Sequence, residues 1–349
     1  MSGQKKRAGI TALGAYAPEG ILTNQDLEGM MDTNDEWIRT RTGIRRRHVA
    51  APDEYTSDLA ISAVQDLIDR HGREVLDEVD MVIVATNTPD ALFPATAALV
   101  QNHFGLRAGA FDLLAACPGW LYALATARSF VESGQARKVL AIGAEALTKL
   151  VDWNDRSTAV LFGDGAGAVL VEPVDEPFGI KSSVLGADGS GAHHLHMRAV
   201  GKCLPNGEPL SEKLAMNGRE VFKFAVRVMD TATVEALDKA GIGSDDISLF
   251  VPHQANLRII DAARERLHLD EERVVVTVDE YGNNSTASIP LALRDALDSG
   301  RIHEGDDLLL VSFGAGLTWA SSVLTWGGMH PYTPGFVAGK AAAQQEVPA

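Results

Sequence analysis

Three side chains stand just beyond apolar runs, where the loops of an α/β protein carry chemistry. Cys117 follows Phe111 to Ala115 in F-D-L-L-A-A-C-P-G-W. His253 follows Leu249-Phe250-Val251 in V-P-H-Q-A-N-L-R. Asn283 follows an apolar strand predicted over Val274 to Val278, in V-D-E-Y-G-N-N-S-T-A-S. A thiolate is a nucleophile, and a thioester exchange needs one. An imidazole N–H and a carboxamide can steady an oxygen on which charge develops. Each residue also has an ordinary structural explanation. Free cysteines are often small buried hydrophobes, and an N-N-S-T cluster often turns the chain and caps a helix. Taken alone, the cysteine stretch weighs evenly between the two. All three residues together, in two related half-domains, favour chemistry.

The element that must hold the cysteine is a helix. Trp120, Ala123, Leu124, Ala127 and Val131 recur at helical spacing, and Pro118 suits the first helical position. Cys117 then sits at a helix N-terminus, where unpaired N–H groups and the macrodipole are predicted to lower the thiol pKa. The helix is apolar almost all round, which makes it central and requires a tunnel to the thiol.

The frame is larger than one ordinary core. The chain has 349 residues, 46% hydrophobic and 22% charged, which implies two domains or one pseudo-symmetric domain. Its two cysteines make neither a disulfide framework nor a zinc spacing, so a reducing, cytoplasmic setting is expected. The net charge of −16 argues against a general nucleic-acid binder, and an acidic partner would need a local basic patch. Lys5-Lys6-Arg7 before Ala8 to Ala17 mimics a signal peptide, but Gly9 and Gly14 interrupt a short, weakly apolar run that reads as a first strand. No run approaches the roughly 18 to 20 apolar residues of a membrane span.

The most basic stretch runs from residue 32 to 48, with Arg39, Arg41, Arg45, Arg46 and Arg47 around Trp37. It is either a solvated loop of ion pairs or an anion site with Trp37 as a stacking face. The run G-D-G-A-G at 163–167 precedes an apolar strand rather than a helix, so it is no dinucleotide fingerprint. Its glycines instead let backbone approach closely. From about residue 175 the order repeats: D-I-S-L-F-V-P-H parallels E-V-D-M-V-I-V-A, and S-F-G-A-G-L-T-W parallels L-F-G-D-G-A-G-A. The expected division is 1–174, 175–328 and a loosely ordered tail, 329–349. Residues 181–214 have little periodicity; their His193, His194 and His196 lack a metal-site partner spacing and read as a solvent-facing loop.

The segments D-E-W-I-R-T-R-T-G-I-R, A-A-C-P-G-W, F-G-D-G-A-G-A, V-P-H-Q-A-N-L-R-I-I, Y-G-N-N-S-T-A-S-I-P and F-G-A-G-L-T-W resemble the β-ketoacyl-[acyl carrier protein] synthase III family. The likeness runs from about residue 8 to 328 in the same order. It implies a thiolase-like α/β fold, two βαβαβαββ halves in a five-layer α-β-α-β-α sandwich, acting as a homodimer. It implies that Cys117 accepts an acyl group from acyl-CoA, and that His253 and Asn283 serve the decarboxylation of malonyl-acyl carrier protein. The N–H groups of Cys117 and Ala315 are the implied oxyanion donors. Trp37, Arg41 and Arg156 match the coenzyme A mouth, Asn256 the pantetheine tunnel, and Arg258 and Lys223 phosphate or carrier-protein docking. Phe93 matches a residue that reaches across the dimer to the acyl pocket, which Leu317 also borders. No metal or other cofactor is implied, since coenzyme A enters as a thioester substrate.

Pro118, Trp120, Ala315 and Leu317 depart from residues common in the family, and they border the acyl pocket or the oxyanion turn. A Cys-His-Asn hydrolase would not need the second half or the Trp37/Arg41 site. A biosynthetic thiolase would need a second cysteine in the C-terminal glycine turn, and Cys203 lies well before it. A related condensing enzyme of a polyketide-type pathway remains compatible with every motif. A non-catalytic carrier-protein partner would have no use for an intact nucleophile.

Overall fold

A computed structural model describes residues 6–333. The first half opens with β1 (Lys6–Tyr16), β2 (Gly20–Thr23), α1 (Asn24–Glu28), α2 (Asp35–Thr42) and β3 (Arg46–Val49). It continues through α3 (Thr56–His71), β4 (Met81–Ala85), α4 (Thr96–His103), β5 (Gly109–Leu113) and α5 (Gly119–Glu132). It closes with β6 (Val139–Glu145), α6 (Arg156–Ala159) and β7 (Gly165–Asp175). The second half runs β8 (Gly179–Ala187), β9 (Leu195–His196), β10 (Ala215–Met216), α7 (Gly218–Ala240) and β11 (Leu249–Pro252). Then come α8 (Leu257–Arg266), α9 (Val278–Tyr281), α10 (Ser288–Asp298), β12 (Asp307–Gly314) and β13 (Thr318–Thr325).

Two mixed sheets form the frame. The first has the order β1-β7-β6-β4-β5, parallel from β6 through β4 to β5 and antiparallel elsewhere. The second, β11-β12-β13-β8, repeats that pattern, with β11 parallel to β12. Central α5 and α10 lie between the sheets: Trp120, Leu124, Ile289 and Leu293 share one core with Ile83, Val169, Val251 and Leu310. Helices α3 and α4 cover the outer face of the first sheet, and α7 and α8 that of the second. The layers are thus α-β-α-β-α, as expected.

The second half lacks a full counterpart to β5. Where a strand is predicted over 274–278, only Val274 bridges Phe250, and Val275 donates to the Phe250 carbonyl at 2.9 Å. Beyond it, the Gln254 side-chain oxygen accepts from the Thr277 and Val278 N–H groups at 2.8 and 3.1 Å. A side chain thus takes those N–H groups away from the ladder, and the backbone turns into α9. A strand also takes up the start of the segment read as irregular, since β8 extends through Ala187.

The glycine run at 163–167 serves close approach. A Cβ on Gly163 would lie 2.4 Å from the Tyr281 carbonyl, in the loop that carries Asn283. Residues 329–333 are tied to the first half rather than loose: His330 donates from its backbone to Thr11, and Thr333 to Arg70, at 2.8 and 2.9 Å. The rest of the expected tail, 334–349, lies outside the described residues, as do residues 1–5.

Candidate active site

Cys117 occupies a sharp corner between β5 and α5. Ala116 before it is left-handed (φ +55°), and Gly119 N–H closes the turn onto the Ala116 carbonyl at 2.8 Å. Pro118 is the N-cap of α5, one position earlier than the sequence predicts, with φ −74°. Opposite the corner, the end of β12 comes so close that a Cβ on Gly314 would lie 2.7 Å from the Cys117 nitrogen. Neither Cys117 nor Ala315 donates its N–H to a backbone carbonyl among the described residues.

The thiol lies where two cavities meet. One, of about 630 Å³, is lined by Cys117, His253 and Asn283 at its floor and by Trp37, Arg41, Asn256, Arg258 and Lys223 toward its mouth. The other, of about 490 Å³, is lined by Cys117, Ala315 and mostly apolar side chains including Leu147, Leu150, Leu204 and Leu214. The expected lowering of the thiol pKa is overturned. Although the residue as a whole is only partly covered, burial around the sulfur pushes the thiol up to about 12, and the Glu145 charge adds to the rise.

His253 is held from several sides. Its N–H bonds the Val311 carbonyl at 2.8 Å, and its ring packs edge-on against Phe313. Nδ1 lies 2.7 Å from the Ser288 hydroxyl at the start of α10, which leaves Nε2 for the cavity. Burial drives the imidazole pKa down to about 3, so the ring is neutral. Asn283 is pinned by its backbone to Leu161 and Gly163, at 2.9 and 3.1 Å. Its side-chain oxygen accepts from Ser285 N–H at 2.9 Å, which frees its amide N–H₂ as a donor.

Arg41, which lines the first cavity, and Arg156, which does not and is held by Asp32, sit over the Trp37 ring at 5.9 and 5.0 Å from its centre. Asn256 caps α8 through Arg258 N–H and donates to the Arg41 carbonyl at 3.0 Å. The basic stretch divides into two groups. Arg39 and Arg46 pair with Asp35 and Glu280, and Arg47 is wholly buried, bonding Asn24 and the Val160 carbonyl. Arg41, Arg219 and Arg258 form no ion pair among the described residues, whereas Lys223 is 2.7 Å from Glu220. Arg219 escapes the sequence reading because it opens a helix with no neighbouring motif.

One residue expected to border the acyl pocket, Leu317, lies elsewhere. It lines neither cavity: in the turn between β12 and β13, Ala315, Gly316 and Thr318 line the second cavity, while the Leu317 side chain packs into the outer core against Gly191. Phe93 is 85% exposed on this chain, near the similarly exposed Leu92. Ser285, Ser288 and Asn87, which border Cys117, His253 and Asn283, carry no sequence signal beyond ordinary turn chemistry.

Residues 111–189 match the family described as 3-oxoacyl-[acyl-carrier-protein (ACP)] synthase III, and residues 237–326 match that of its C-terminal part. The β-ketoacyl-[acyl-carrier-protein] synthase III of Deinococcus deserti is 51% identical over 331 residues, 95% of this chain and 94% of the relative. That of Symbiobacterium thermophilum is 55% identical over 91% of this chain and 98% of the relative. The crystal structure of the Thermus thermophilus synthase III superposes with a TM-score of 0.91 at 68% identity, covering 92% of this chain and 99% of that one. With relatives alike over nearly their whole length, and with the layered fold and a cysteine between two cavities in place, the chain belongs to the β-ketoacyl-[acyl carrier protein] synthase III family.

Proposed function

We propose that this enzyme condenses a short acyl-CoA primer with malonyl-acyl carrier protein through an acyl-Cys117 intermediate. The products are 3-ketoacyl-acyl carrier protein, free coenzyme A and CO₂, the step that initiates fatty acid synthesis. The observation that carries the assignment of the nucleophile is the position of Cys117 at the junction of a cation-rimmed cavity and a largely apolar one.

In the first half-reaction the Cys117 sulfur attacks the thioester carbonyl, and the N–H groups of Cys117 and Ala315 hold the resulting oxyanion. The carbon–sulfur bond to coenzyme A breaks, and the proton given up by the thiol ends on the departing coenzyme A sulfur. The exchange is proton-neutral, which suits a thiol that burial keeps protonated at rest. Trp37 and Arg156 flank the adenine, with Arg41 near the phosphates and Asn256 along the pantetheine arm.

In the second half-reaction the malonyl carbon–carboxylate bond breaks, CO₂ leaves and its electron pair forms an enolate on the thioester. His253 donates to the enolate oxygen from Nε2 and Asn283 from its amide. We assign the Ser288 hydroxyl as donor to His253 Nδ1, because only that tautomer leaves a proton on Nε2. The enolate carbon then attacks the acyl-Cys117 carbonyl, the carbon–sulfur bond to Cys117 breaks, and the departing thiolate takes up one proton from solvent. Loss of CO₂ drives the step, so no metal or other cofactor is needed. Arg258 and Lys223 meet the acidic carrier protein at the mouth. The enzyme works as a cytoplasmic homodimer in which exposed Phe93 closes the partner's acyl pocket.

The test follows radiolabelled CO₂ released from malonyl-acyl carrier protein in the presence of a metal chelator. Release should require acyl-CoA in the wild type. His253→Ala should still form the acyl-enzyme, seen by mass spectrometry, but release CO₂ at least about 10²-fold more slowly. Loss of acylation with decarboxylation retained would reverse the roles given to Cys117 and His253.

A further inference from the structure

One buried group has no part in that chemistry. Glu145, at the end of β6, is wholly inaccessible and has no cation paired with it among the described residues. Hydrogen-bond donors surround it instead. The Asn87 backbone N–H and the Thr88 hydroxyl reach one oxygen at 3.1 and 3.0 Å. The Asn87 side-chain amide and the Thr286 hydroxyl reach the other. A carboxylate buried without a counter-ion is costly unless hydrogen bonds hold it, and burial here lifts its pKa to about 7. The structure keeps such a group directly behind the nucleophile.

The same Asn87 amide has a second N–H, and it donates that one to the Ser285 hydroxyl oxygen at 3.1 Å. With its oxygen occupied in this way, Ser285 has a single proton left to give, and it makes no other side-chain donation among the described residues. Asn87, Ser285 and Cys117 line one cavity; at rest no hydrogen bond joins the Ser285 hydroxyl to the Cys117 sulfur among the described residues, but the nearby hydroxyl opposes the desolvation that raises the thiol pKa. Ser285 is also held in a left-handed conformation (φ +48°), as is Ala116 next to the cysteine. Backbone strain of this kind persists only where the surroundings enforce it, and it gathers at working sites.

We propose that Ser285 is a further catalytic residue, donating its hydroxyl proton as a hydrogen bond to the Cys117 sulfur as the thiolate forms, and that Asn87, anchored by Glu145, is the positioning residue that aims it. The chain of direction is Glu145 to the Asn87 amide, the amide to the Ser285 oxygen, and the Ser285 proton to sulfur. No proton crosses it, because an amide donates but does not relay. The proposal supplies what the enclosed thiol lacks, a donor that stabilises its charged form locally. It rests on Cys117 being the reacting nucleophile.

The test is the alkylation of Cys117 by iodoacetamide as a function of pH. The full chain carries Cys203→Ser, because exposed Cys203 would also react. Ultraviolet absorbance of the thiolate serves as a second readout that does not depend on access. Charged and titratable neighbours that shape the profile are Glu145, which raises the thiol pKa, and His253, which shares the first cavity and is neutral. Ser285→Ala should lower the thiolate fraction and the alkylation rate at a fixed mildly alkaline pH by about tenfold, the worth of one hydrogen bond to a charged group. Ser285→Gly, which removes the hydroxyl and accepts the left-handed backbone without strain, should do the same with the melting temperature retained. Asn87→Ala should shift both readouts less, in the same direction, and add nothing in the Ser285→Ala background. A folded Ser285→Gly with the parent's thiolate profile overturns the proposal, and so does full additivity of Asn87→Ala. Neither readout involves malonyl-acyl carrier protein. Failure of the parent chain to condense would sink the proposed function and leave this result standing.

Discussion

At the scale of single residues, the site works through neutral groups rather than charged ones. The thiol is held protonated and the imidazole unprotonated by the same cause, exclusion of water. The consequence for stability can be worked out. Unfolded, a histidine takes a proton near pH 6.5; folded, His253 resists until about pH 3. Between those values the unfolded chain binds more protons, so His253 lowers stability as pH falls from 6.5 toward 3. Glu145 acts in the opposite sense: with its folded pKa raised to about 7, its contribution is full below about 4.5 and is lost as pH rises through 7. The two slopes oppose each other from about pH 4.5 to 6.5. His253→Gln should therefore leave the Glu145 slope exposed, with stability relative to wild type rising by up to about 1.4 kcal/mol per pH unit of acidification in that window. Urea denaturation at several pH values measures it. A difference that stays constant with pH would mean that the folded imidazole titrates normally.

At the scale of elements, what positions the site is close approach. The corner before α5 and the end of β12 meet with no room for a side chain at Gly314, where a Cβ would lie 2.7 Å from the Cys117 nitrogen and 2.9 Å from Pro118. Gly314→Ala should push the two oxyanion N–H groups apart while the sheets persist. Acylation by acyl-CoA, followed by mass spectrometry, should then slow by about 10²-fold, the usual cost of a displacement near 1 Å. An unchanged rate would remove this turn from the oxyanion site. The elements also mark where the sequence is readable. The positions of Cys117 and His253 were legible because each follows an apolar run that becomes a strand, β5 and β11. Strands β4 and β6 follow from such runs too, whereas the run before Asn283 does not form one. The strand predicted over 274–278 fails because Gln254, more than 20 positions away, captures its N–H groups. β8 was hidden because Ser182 stands at a buried position, its hydroxyl donating to the Ala236 carbonyl, so a polar letter occupies a core place in the strand. Glu145, Asn87 and Ser285 stayed invisible for the same reason. Their meaning lies in partners 58 and 198 positions apart, which no local pattern records.

At the scale of the whole molecule, an acidic protein must receive acidic substrates. The chain carries a net charge of −16, yet Arg41, Arg219 and Arg258 at the mouth of the first cavity are left without carboxylate partners among the described residues. Other cations are neutralised inside the fold, as in the buried pairing of Arg70 with Asp66 and Asp298. Local potential, not net charge, governs encounter, since screening confines each charge to about 8–10 Å at physiological salt. Arg258 is the informative position: it begins α8 beside the capping Asn256 and lies over the Phe222 ring at 5.3 Å, on the rim rather than beside the thiol. Arg258→Glu should raise the KM for malonyl-acyl carrier protein roughly tenfold at low salt and flatten its dependence on ionic strength, with the acylation rate of Cys117 by acyl-CoA changed far less. Steady-state kinetics across a salt series, with each substrate varied in turn, separates the two effects. Equal losses for both substrates would place Arg258 on the coenzyme A path instead. An unchanged salt dependence would remove the rim cations from carrier-protein docking altogether.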